Sequence, residues 1–346
     1  MKKLLLVVGG QSTEHTISRM SGTSVYRELD VQKYVITVAG IDQKGDWYLL
    51  SDQVSDFTSE DWLAEATPVH DVYALLKRQD VIFPVLHGLY GEDGTIQGLF
   101  ELSQVPYVGC RVLGSSLAMD KIFTKKIFEQ AGIPQVPSLY VKKRIDGRLV
   151  VVDDMMNEHT HYADYIVEKL GLPVFVKPSN SGSSVGVYQA TSKEDLVEKL
   201  EAASRYDHKI VVEKSIDCIE LETAVLGNDD PQVSAVGQIM PHGEFYTFES
   251  KYEDEESKTC IPALVDQAIQ EKIRQYALRA FQAIDGHGLS RVDFFLDKQT
   301  GAIYLNEINT MPGFTNISMY PQLWIHAGMT YSELLDRLIE LALEIH

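Results

Sequence analysis

The sequence predicts an α/β protein of three lobes, the first of which is built on a doubly wound parallel sheet. The chain has 346 residues, which is long for a single domain. Apolar segments of strand length alternate with helical segments at the start of the chain, as expected of a parallel sheet. The remainder contains a glycine-rich loop and a polar hairpin, each between apolar strands. We place the lobes at 1–112, 113–212 and 213–346.

The first lobe begins with LLLVVGG, a buried strand that ends in two glycines. An acidic stretch that reaches about residue 71 separates the second strand from the third. These segments favour an open parallel sheet with its ligand edge at the carboxyl ends of the strands. The predicted strands are 4–10, 33–41, 80–88 and 105–110, and the predicted helices are 18–29 and 94–102.

The second lobe is predicted to open with a helix that starts at Ser115 and carries Asp120 and Lys121. Ser192 begins an amphipathic helix with a capping box. The third lobe ends in the helical segment SELLDRLIELALEI. The other predicted elements are a strand–loop–strand unit at 174–190, a helix at 192–204 and a strand at 209–216.

Composition narrows the class of function. The net charge of −19 makes non-specific binding to nucleic acid or to an anionic membrane unfavourable. The apolar start of the chain is too short for a signal peptide, and no apolar run approaches the ~18 residues of a membrane span. The three cysteines have no metal or redox spacing, which favours a reducing cytoplasm. We therefore expect a cytoplasmic protein with small-molecule partners.

The hairpin SRVDFFLDKQTGAIYLNEINTMPGF carries the strongest chemical signal. Side chains alternate along strands, so Arg291 and Asp293 share a face, as do Glu307 and Asn309. Closure at 297–301 would set Asp293 almost opposite Glu307. Two carboxylates and an amide are the hard oxygen ligands that Mg²⁺ prefers. The alternative is a half-exposed hairpin whose charged groups form surface ion pairs.

The segment KPSNSGSSVGV has the composition of a loop that covers phosphates, because it combines small residues, backbone N–H donors and a preceding lysine. A mobile surface loop is the simpler alternative. Lysines at predicted element edges would offset the negative charge of a triphosphate, although each one alone is typical of a surface. These lysines are Lys121, Lys177, Lys214 and Lys251.

Three further segments fit a nucleotide-dependent site. Glu213 and Lys214 end a strand at a lobe boundary, where backbone groups can read adenine and Ile216 can pack on the ring. Glu14 follows the first strand at the predicted ligand edge, and LHGLYGEDG brings His87 and Glu92 to the same edge. The polar stretch FESKYEDEESKTCIPA is typical of a lid. Taken alone, each segment also fits an ordinary strand end, helix start or loop.

Together these segments resemble the ATP-grasp ligases, and specifically the D-alanine–D-alanine ligases. The resemblance spans nearly the whole chain and implies the ATP-grasp fold, ATP as a substrate and two Mg²⁺ ions, for which Mn²⁺ can substitute. It also implies a homodimer. The matching motifs are GGQSTEHTIS, FPVLHGLYGEDGTIQG, MDK, VKPSNSGSSVGV, VEK, SKY, SRVDFF and NEINTMPGFTNISMYP.

The resemblance also implies a role for individual residues. The metal ligands would be Asp293, Glu307 and Asn309. The residues that bind the phosphates of ATP would be Lys121, Lys177, Lys251 and Ser184. The adenine and ribose pocket would be formed by Glu213, Lys214, Ile216, Glu220 and Phe295. The residues of the amino-acid site are Glu14 and His87 for the first D-alanine, the linked set Glu14, Ser183 and Tyr252, the oxyanion donors Arg291 and Gly313, and Ser318 with Lys251 and Tyr252 for the second D-alanine.

Two positions bear on the second substrate. Ligases of the D-lactate type usually lack a tyrosine at the position of Tyr252, and those of the D-serine type tend to carry arginine where this chain has Met319. The resemblance therefore implies D-alanine in the second site, with D-serine or D-lactate as the alternative.

Two rival functions are an ATP-grasp enzyme for different substrates and a catalytically silent nucleotide-binding protein. Loss of the Glu14, Ser183 and Tyr252 set would favour the former, and loss of Arg291 or of a metal ligand the latter; none of these residues is missing from the sequence.

Overall fold

Three β-sheets, each formed by a different part of the chain, organise the residues described by a computed structural model. The described residues are 1–183, 185–240 and 258–345. Ser184, Lys251 and Tyr252 lie outside them, as does most of the predicted lid at 246–263. Among the described residues, no helix is both long enough and apolar enough to cross a membrane.

The first sheet has the strand order β4-β3-β2-β1-β5, and β1 runs parallel to both of its neighbours. The predicted parallel pairing is confirmed for β1, β2 and β5, and two short antiparallel strands that the sequence did not predict, β3 and β4, extend the sheet at one edge. The cause is a tight turn at 42–46, in which Gly45 has a φ of +93° and sends the chain straight back. The elements of this first part of the chain are β1 (Lys2–Gly9), α1 (His15–Glu28), β2 (Tyr34–Ile41), β3 (Trp47–Leu49), β4 (Thr67–Pro68), α2 (Val72–Leu76), β5 (Val81–Val85), α3 (Thr95–Ser103) and α4 (Val112–Met119).

Two predictions for this part of the chain need correction. The strand predicted at 105–110 makes only one parallel bridge among the described residues, from Tyr107 to Ile82. The helix predicted to run from Ser115 through Lys121 is two helices, because it breaks at Asp120. The carboxylate of Asp120 accepts hydrogen bonds from the N–H groups of Ile122 and Phe123, so it caps the second helix.

The second sheet is antiparallel, with the order β10-β9-β11-β6-β7-β8. The glycine-rich loop connects β9 to β10 at one edge, as the sequence predicted. Ser192 caps the helix that follows β10 by accepting a hydrogen bond from the N–H of Asp195 at 3.1 Å. The elements are α5 (Lys121–Gln130), β6 (Ser138–Lys143), β7 (Leu149–Val152), β8 (Glu158–His159), α6 (Tyr162–Leu170), β9 (Val174–Pro178), β10 (Tyr188–Ala190), α7 (Lys193–Ala203) and β11 (Lys209–Lys214).

The third sheet is also antiparallel, with the order β14-β13-β12-β15-β16. The predicted polar hairpin is β15 and β16, and it closes at 297–301 as expected. Within the predicted lid, 258–260 forms the edge strand β14. The elements are β12 (Cys218–Gly227), β13 (Gln232–Met240), β14 (Lys258–Cys260), α8 (Gln267–Ala283), β15 (Gly288–Asp297), β16 (Ile303–Asn309), α9 (Met319–His326) and α10 (Tyr331–Glu344).

Helix α10 joins the first sheet to the third. Its apolar face contributes Leu334 and Leu338 to one core with Leu6 of β1 and Leu289 of β15, and all four are fully buried. On its polar side, Asp336 accepts hydrogen bonds from Lys33 at 2.5 Å and from the Tyr34 hydroxyl at 2.9 Å. The C-terminal helix therefore fixes the first sheet against the sheet that carries the polar hairpin.

We expect Leu338→Ala to lower the free energy of unfolding by about 2–5 kcal/mol, because it opens a cavity in this shared core. Glu340→Ala is the control, since it changes an exposed residue of the same helix and should alter stability by less than about 0.5 kcal/mol. Denaturant titration measures both. Equal effects of the two substitutions would contradict the packing role of α10.

Candidate functional site

The hairpin of β15 and β16 brings the predicted metal ligands together. Asp293 pairs with Glu307 in register, and Arg291 pairs with Asn309. The side-chain amide of Asn309 lies 3.1 Å from the Asp293 carboxylate. Among the described residues, no three His, Cys, Asp or Glu side chains gather into a metal-binding group. Two carboxylates and an amide nevertheless form an all-oxygen donor set, which fits Mg²⁺ or Mn²⁺.

Arg291 pairs with two buried acids, one of which belongs to this donor set. Its guanidinium donates to both oxygens of Asp293, at 2.8 and 2.7 Å, and lies 3.0 Å from the carboxylate of Glu222 on β12. Burial lowers the pKa of Arg291, but Asp293 and Glu222 raise it well above its ordinary value. The hairpin is therefore not an exposed surface ion pair. Arg291 lines the cleft with its guanidinium held in place by these two carboxylates.

Two of the predicted phosphate-binding lysines converge on this hairpin. The Lys121 ammonium lies 3.7 Å from Glu307 and donates to the carbonyl of Ser181 at 2.6 Å. The Lys177 ammonium lies 2.5 Å from the carboxylate of Glu213. The centres of the Phe175 and Phe295 rings lie 6.0 and 5.9 Å from the same ammonium. Burial lowers the pKa of Lys177, but Glu213 and then Glu307 raise it above its ordinary value.

The predicted adenine and ribose residues lie between the second and third sheets. Glu213 is buried at the end of β11, whereas the neighbouring Lys214 is exposed and does not converge with the other lysines. Ile216 is half-buried in the connection that follows. Glu220 of β12 stands opposite Phe295 of β15. Glu213, Glu220 and Phe295 all lie close to Lys177.

The base of the glycine-rich loop is fixed by side chains of the second lobe. Asn180 binds the carboxylate of Asp207 through its backbone N–H at 2.9 Å and its side-chain amide at 2.8 Å. The Ser179 hydroxyl donates to Asp120 at 2.7 Å, and Lys209 pairs with the same carboxylate. The loop therefore leaves the sheet from an anchored base.

The tip of the loop reaches the first sheet. The Ser183 hydroxyl donates to the buried Glu14 carboxylate, which precedes α1 at the carboxyl end of β1. A Cβ atom on Gly182 or on Gly88 would lie 2.6 Å from the other Glu14 oxygen, so only glycine leaves room for it. Two of the three residues expected to form a linked set are thus in contact. The third, Tyr252, is outside the described residues.

His87 lines the same cleft as Glu14 and also contacts two other elements of the chain. Its Nδ1 lies 2.9 Å from the carbonyl of Met311, and its Nε2 lies 3.2 Å from the hydroxyl of Ser21. Burial lowers the pKa of His87 and keeps the ring neutral, so Nδ1 donates to Met311 and Nε2 accepts from Ser21. Ser21 in turn accepts the N–H of Phe314 at 3.1 Å. His87 lines the cleft and also ties the loop at 311–314 to α1.

The loop after β16 closes the other end of the cleft. A Cβ on Gly313 would lie 2.9 Å from the Ser318 hydroxyl, which accepts the N–H of Thr315 at 3.0 Å. Met319 begins α9 and is buried, with its sulfur 2.6 Å from where a Cβ on Gly237 would stand. Gly313, Ser318 and Met319 line one cleft together with Glu14, Ser183 and Arg291.

Sequence reasoning assigned no role to several residues of this cleft. Glu222 escaped notice although it lies two residues after Glu220, a spacing that puts both on one face of β12. Ser21 and Lys125 gave no signal in the sequence. Glu92 was placed at the right edge but given no function. It accepts the N–H of Gly88 at 2.8 Å.

Glu92 is a titrating group of the cleft. Burial and the neighbouring Glu14 carboxylate raise the pKa of Glu92 to about 8, and Glu307 adds to the rise. The hydrogen bond from Gly88 opposes this shift but does not overcome it. Near neutral pH, Glu92 is therefore largely protonated and limits the negative charge around Glu14.

We expect this raised pKa to make stability depend on pH. Below pH 4.5, Glu92 is protonated in both the folded and the unfolded chain. Between pH 4.5 and about 8, Glu92 keeps its proton only in the folded chain. The contribution of Glu92 to stability therefore falls as pH rises through that window, by about 1.4 kcal/mol per pH unit for one proton. Because the amide in Glu92→Gln does not titrate, the variant should gain stability over the parent protein between pH 5 and 8. A pH-independent difference in denaturant titrations would contradict the assignment.

Comparisons with known families agree with this geometry along the whole chain. The family description "D-ala D-ala ligase N-terminus" matches residues 3–110, and "D-ala D-ala ligase C-terminus" matches residues 127–340. A protein named D-alanine–D-alanine ligase from Acetivibrio thermocellus is 46% identical in an alignment that covers 99% of this chain and 96% of the relative.

Two solved structures of ligases have the same fold as this chain over nearly its whole length. The VanG D-Ala:D-Ser ligase from Enterococcus faecalis superposes with a TM-score of 0.86 at 33% identity and covers 99% of both chains. The D-alanine–D-alanine ligase from Coxiella burnetii superposes with a TM-score of 0.85 at 34% identity, covering 100% of this chain and 94% of that one. The described sheets are thus those of the ATP-grasp fold in these ligases.

Proposed function

The chain belongs to the D-alanine–D-alanine ligase family, and on that premise we propose that it joins two D-alanine molecules with the consumption of one ATP. The observation that carries the proposal is the hydrogen bond from Ser183 to Glu14. It links the loop that would cover the phosphates of ATP to the edge of the first sheet, where an amino acid can bind. The rival function, an ATP-grasp enzyme for different substrates, would instead predict loss of these residues.

The first step needs an activated carboxylate. An oxygen of the first D-alanine attacks the γ-phosphorus of ATP, the bond from that phosphorus to the β–γ bridging oxygen breaks, and D-alanyl phosphate and ADP result. Lys121 and Lys177 would neutralise the transferring phosphoryl group from opposite sides, together with Ser184 and Lys251. Two Mg²⁺ ions held by Asp293, Glu307 and Asn309 would supply further charge neutralisation. Glu213, Lys214, Ile216, Glu220 and Phe295 would hold the adenosine.

The second step joins the amino acids. The deprotonated amine of the second D-alanine attacks the acyl carbon, and the tetrahedral oxyanion then collapses with loss of phosphate. Arg291 and the N–H of Gly313 would stabilise that oxyanion. Glu222 and Asp293 fix the guanidinium of Arg291 before substrate arrives, so little reorganisation is required.

The amino-acid subsites follow from the two ends of the cleft. Glu14 would bind the ammonium of the first D-alanine with His87 nearby, and His87 would also hold the loop at 311–314 in place. Ser318, Met319 and Tyr252 would position the second D-alanine. Acyl phosphates hydrolyse readily, so the segment 246–263 is proposed to exclude water as a lid.

Glu307→Gln should abolish D-alanine-dependent ADP formation while leaving the fold intact, because it removes a carboxylate from both the proposed metal site and the Lys121 pair. The loss should exceed the roughly 10- to 100-fold typical of residues that only support a metal ligand. Glu340→Gln on the exposed face of α10 is the control and should behave as the parent protein. Normal turnover of Glu307→Gln would remove the metal assignment.

The function itself is tested by ADP release with Mg·ATP and single amino acids or pairs. We expect release with D-alanine alone and a dipeptide product. D-Serine and D-lactate, each offered with D-alanine, should give little mixed product because Met319 fills its side of the cleft. If ADP is released with another acid or amine but not with D-alanine, the assignment of ATP as a substrate is retained and the assignment of D-alanine is rejected.

A further inference from the structure

Helix α5 carries a second lysine into the nucleotide cleft besides Lys121. Lys125 lies one turn further along the same helix face, and its ammonium is 2.6 Å from Oε1 of Glu213. Its side chain is only 11% exposed. Within 1–183, 185–240 and 258–345, Glu213 is the one acidic group paired with it. The burial of the ammonium means that Lys125 is not an ordinary surface lysine.

Glu213 is held between two cations. Lys125 contacts Oε1 at 2.6 Å, and Lys177 contacts Oε2 at 2.5 Å. Burial alone raises the pKa of Glu213, but Lys125 and Lys177 lower it to about 2, so the carboxylate is ionised throughout the physiological range. The buried group of three therefore carries one net positive charge.

That net charge depends on Lys125. If Lys125 were uncharged, Glu213 and Lys177 would form a neutral buried pair. A buried carboxylate that loses its partner is strongly destabilised, so Lys177 would stay with Glu213 instead of turning to an anionic ligand. With Lys125 present, Glu213 keeps a partner when Lys177 engages that ligand.

We propose that Lys125 is a positioning residue of the nucleotide site: it compensates the Glu213 carboxylate, so that the charge of Lys177 is available to the phosphates of ATP. This inference rests on the proposed function, which places those phosphates at Lys177. It assigns to Lys125 an effect on nucleotide affinity and none on the amino-acid subsites, which lie at the Glu14 and Ser318 ends of the cleft.

The first test compares Lys125→Met with the parent protein. Calorimetric titration with Mg·ADP should show an affinity at least about tenfold lower, equivalent to about 1.4 kcal/mol. The KM for D-alanine should change less than twofold, and Lys125→Arg should recover most of the lost affinity. The control is Lys126→Met, because the side chain of Lys126 is 40% exposed and its partner Asp154 is 95% exposed. That variant should bind Mg·ADP as the parent protein does.

A double-mutant cycle with Glu213→Gln provides the second test. Once the carboxylate is gone, Lys125→Met should lower Mg·ADP affinity by less than threefold. An equal loss in both backgrounds, or a KM for D-alanine that rises in step with the Mg·ADP dissociation constant, would overturn the proposal and indicate a structural role. If Lys125→Met does not fold, Lys125→Gln takes its place in both tests. Lys125→Gln must then bind Mg·ADP more weakly than the parent protein and more weakly than Lys125→Arg.

The two proposals fail in different ways. Binding of Mg·ADP requires no turnover, so the Lys125 cycle gives its answer even if D-alanine is not a substrate. Absence of D-alanine-dependent ADP formation in the parent protein would reject the proposed function alone. Normal Mg·ADP affinity of a folded Lys125→Met would reject the role of Lys125 alone.

Discussion

The pairing of Arg291 with Asp293 and Glu222 is the interaction on which the arrangement of the cleft depends. These charges lie on adjacent strands of the third sheet, in a largely apolar environment where an unpaired ion would be strongly destabilising. Because their mutual pairing reduces that penalty, β12 and β15 can carry these charges and still pack on both sides. The bidentate contact to Asp293 also fixes the plane of the guanidinium, so one ion pair serves both stability and the orientation of Arg291.

Around this centre, the cleft depends on contacts between parts of the chain that are far apart in sequence. Glu14 of the first lobe binds Ser183 of the second, and His87 binds the Met311 carbonyl of the third. Helix α10 supports the second of these contacts, since it packs the first sheet against the third. A shift of any one sheet would therefore disturb a polar contact of the cleft.

The sequence was most informative where the chemistry lies within one local element. The register of β15 and β16 followed from strand alternation and a short turn, so the positions of Asp293 and Glu307 could be predicted. Alternation alone could not reveal that Lys125 meets Glu213, because the two residues approach only when α5 packs beside β11. The break before Lys121 was missed for a related reason: helix propensity does not show that the Asp120 carboxylate turns back to cap α5. The role of His87 was likewise hidden, since Ser21 and Met311 reach it from other elements.

A common physical principle connects the two ends of the cleft. Within the part of the chain that the structure describes, three cations of the proposed reaction already lie beside carboxylates: Arg291 pairs with Asp293, Lys177 pairs with Glu213, and Lys121 lies near Glu307. In a chain of net charge −19, such pairing lets positive groups remain buried and oriented without an anionic ligand. It also sets a condition for ligand binding, because a phosphate gains from a lysine only if the carboxylate left behind keeps another partner. A cleft that binds phosphates in so acidic a protein therefore needs more cations than the phosphates themselves contact.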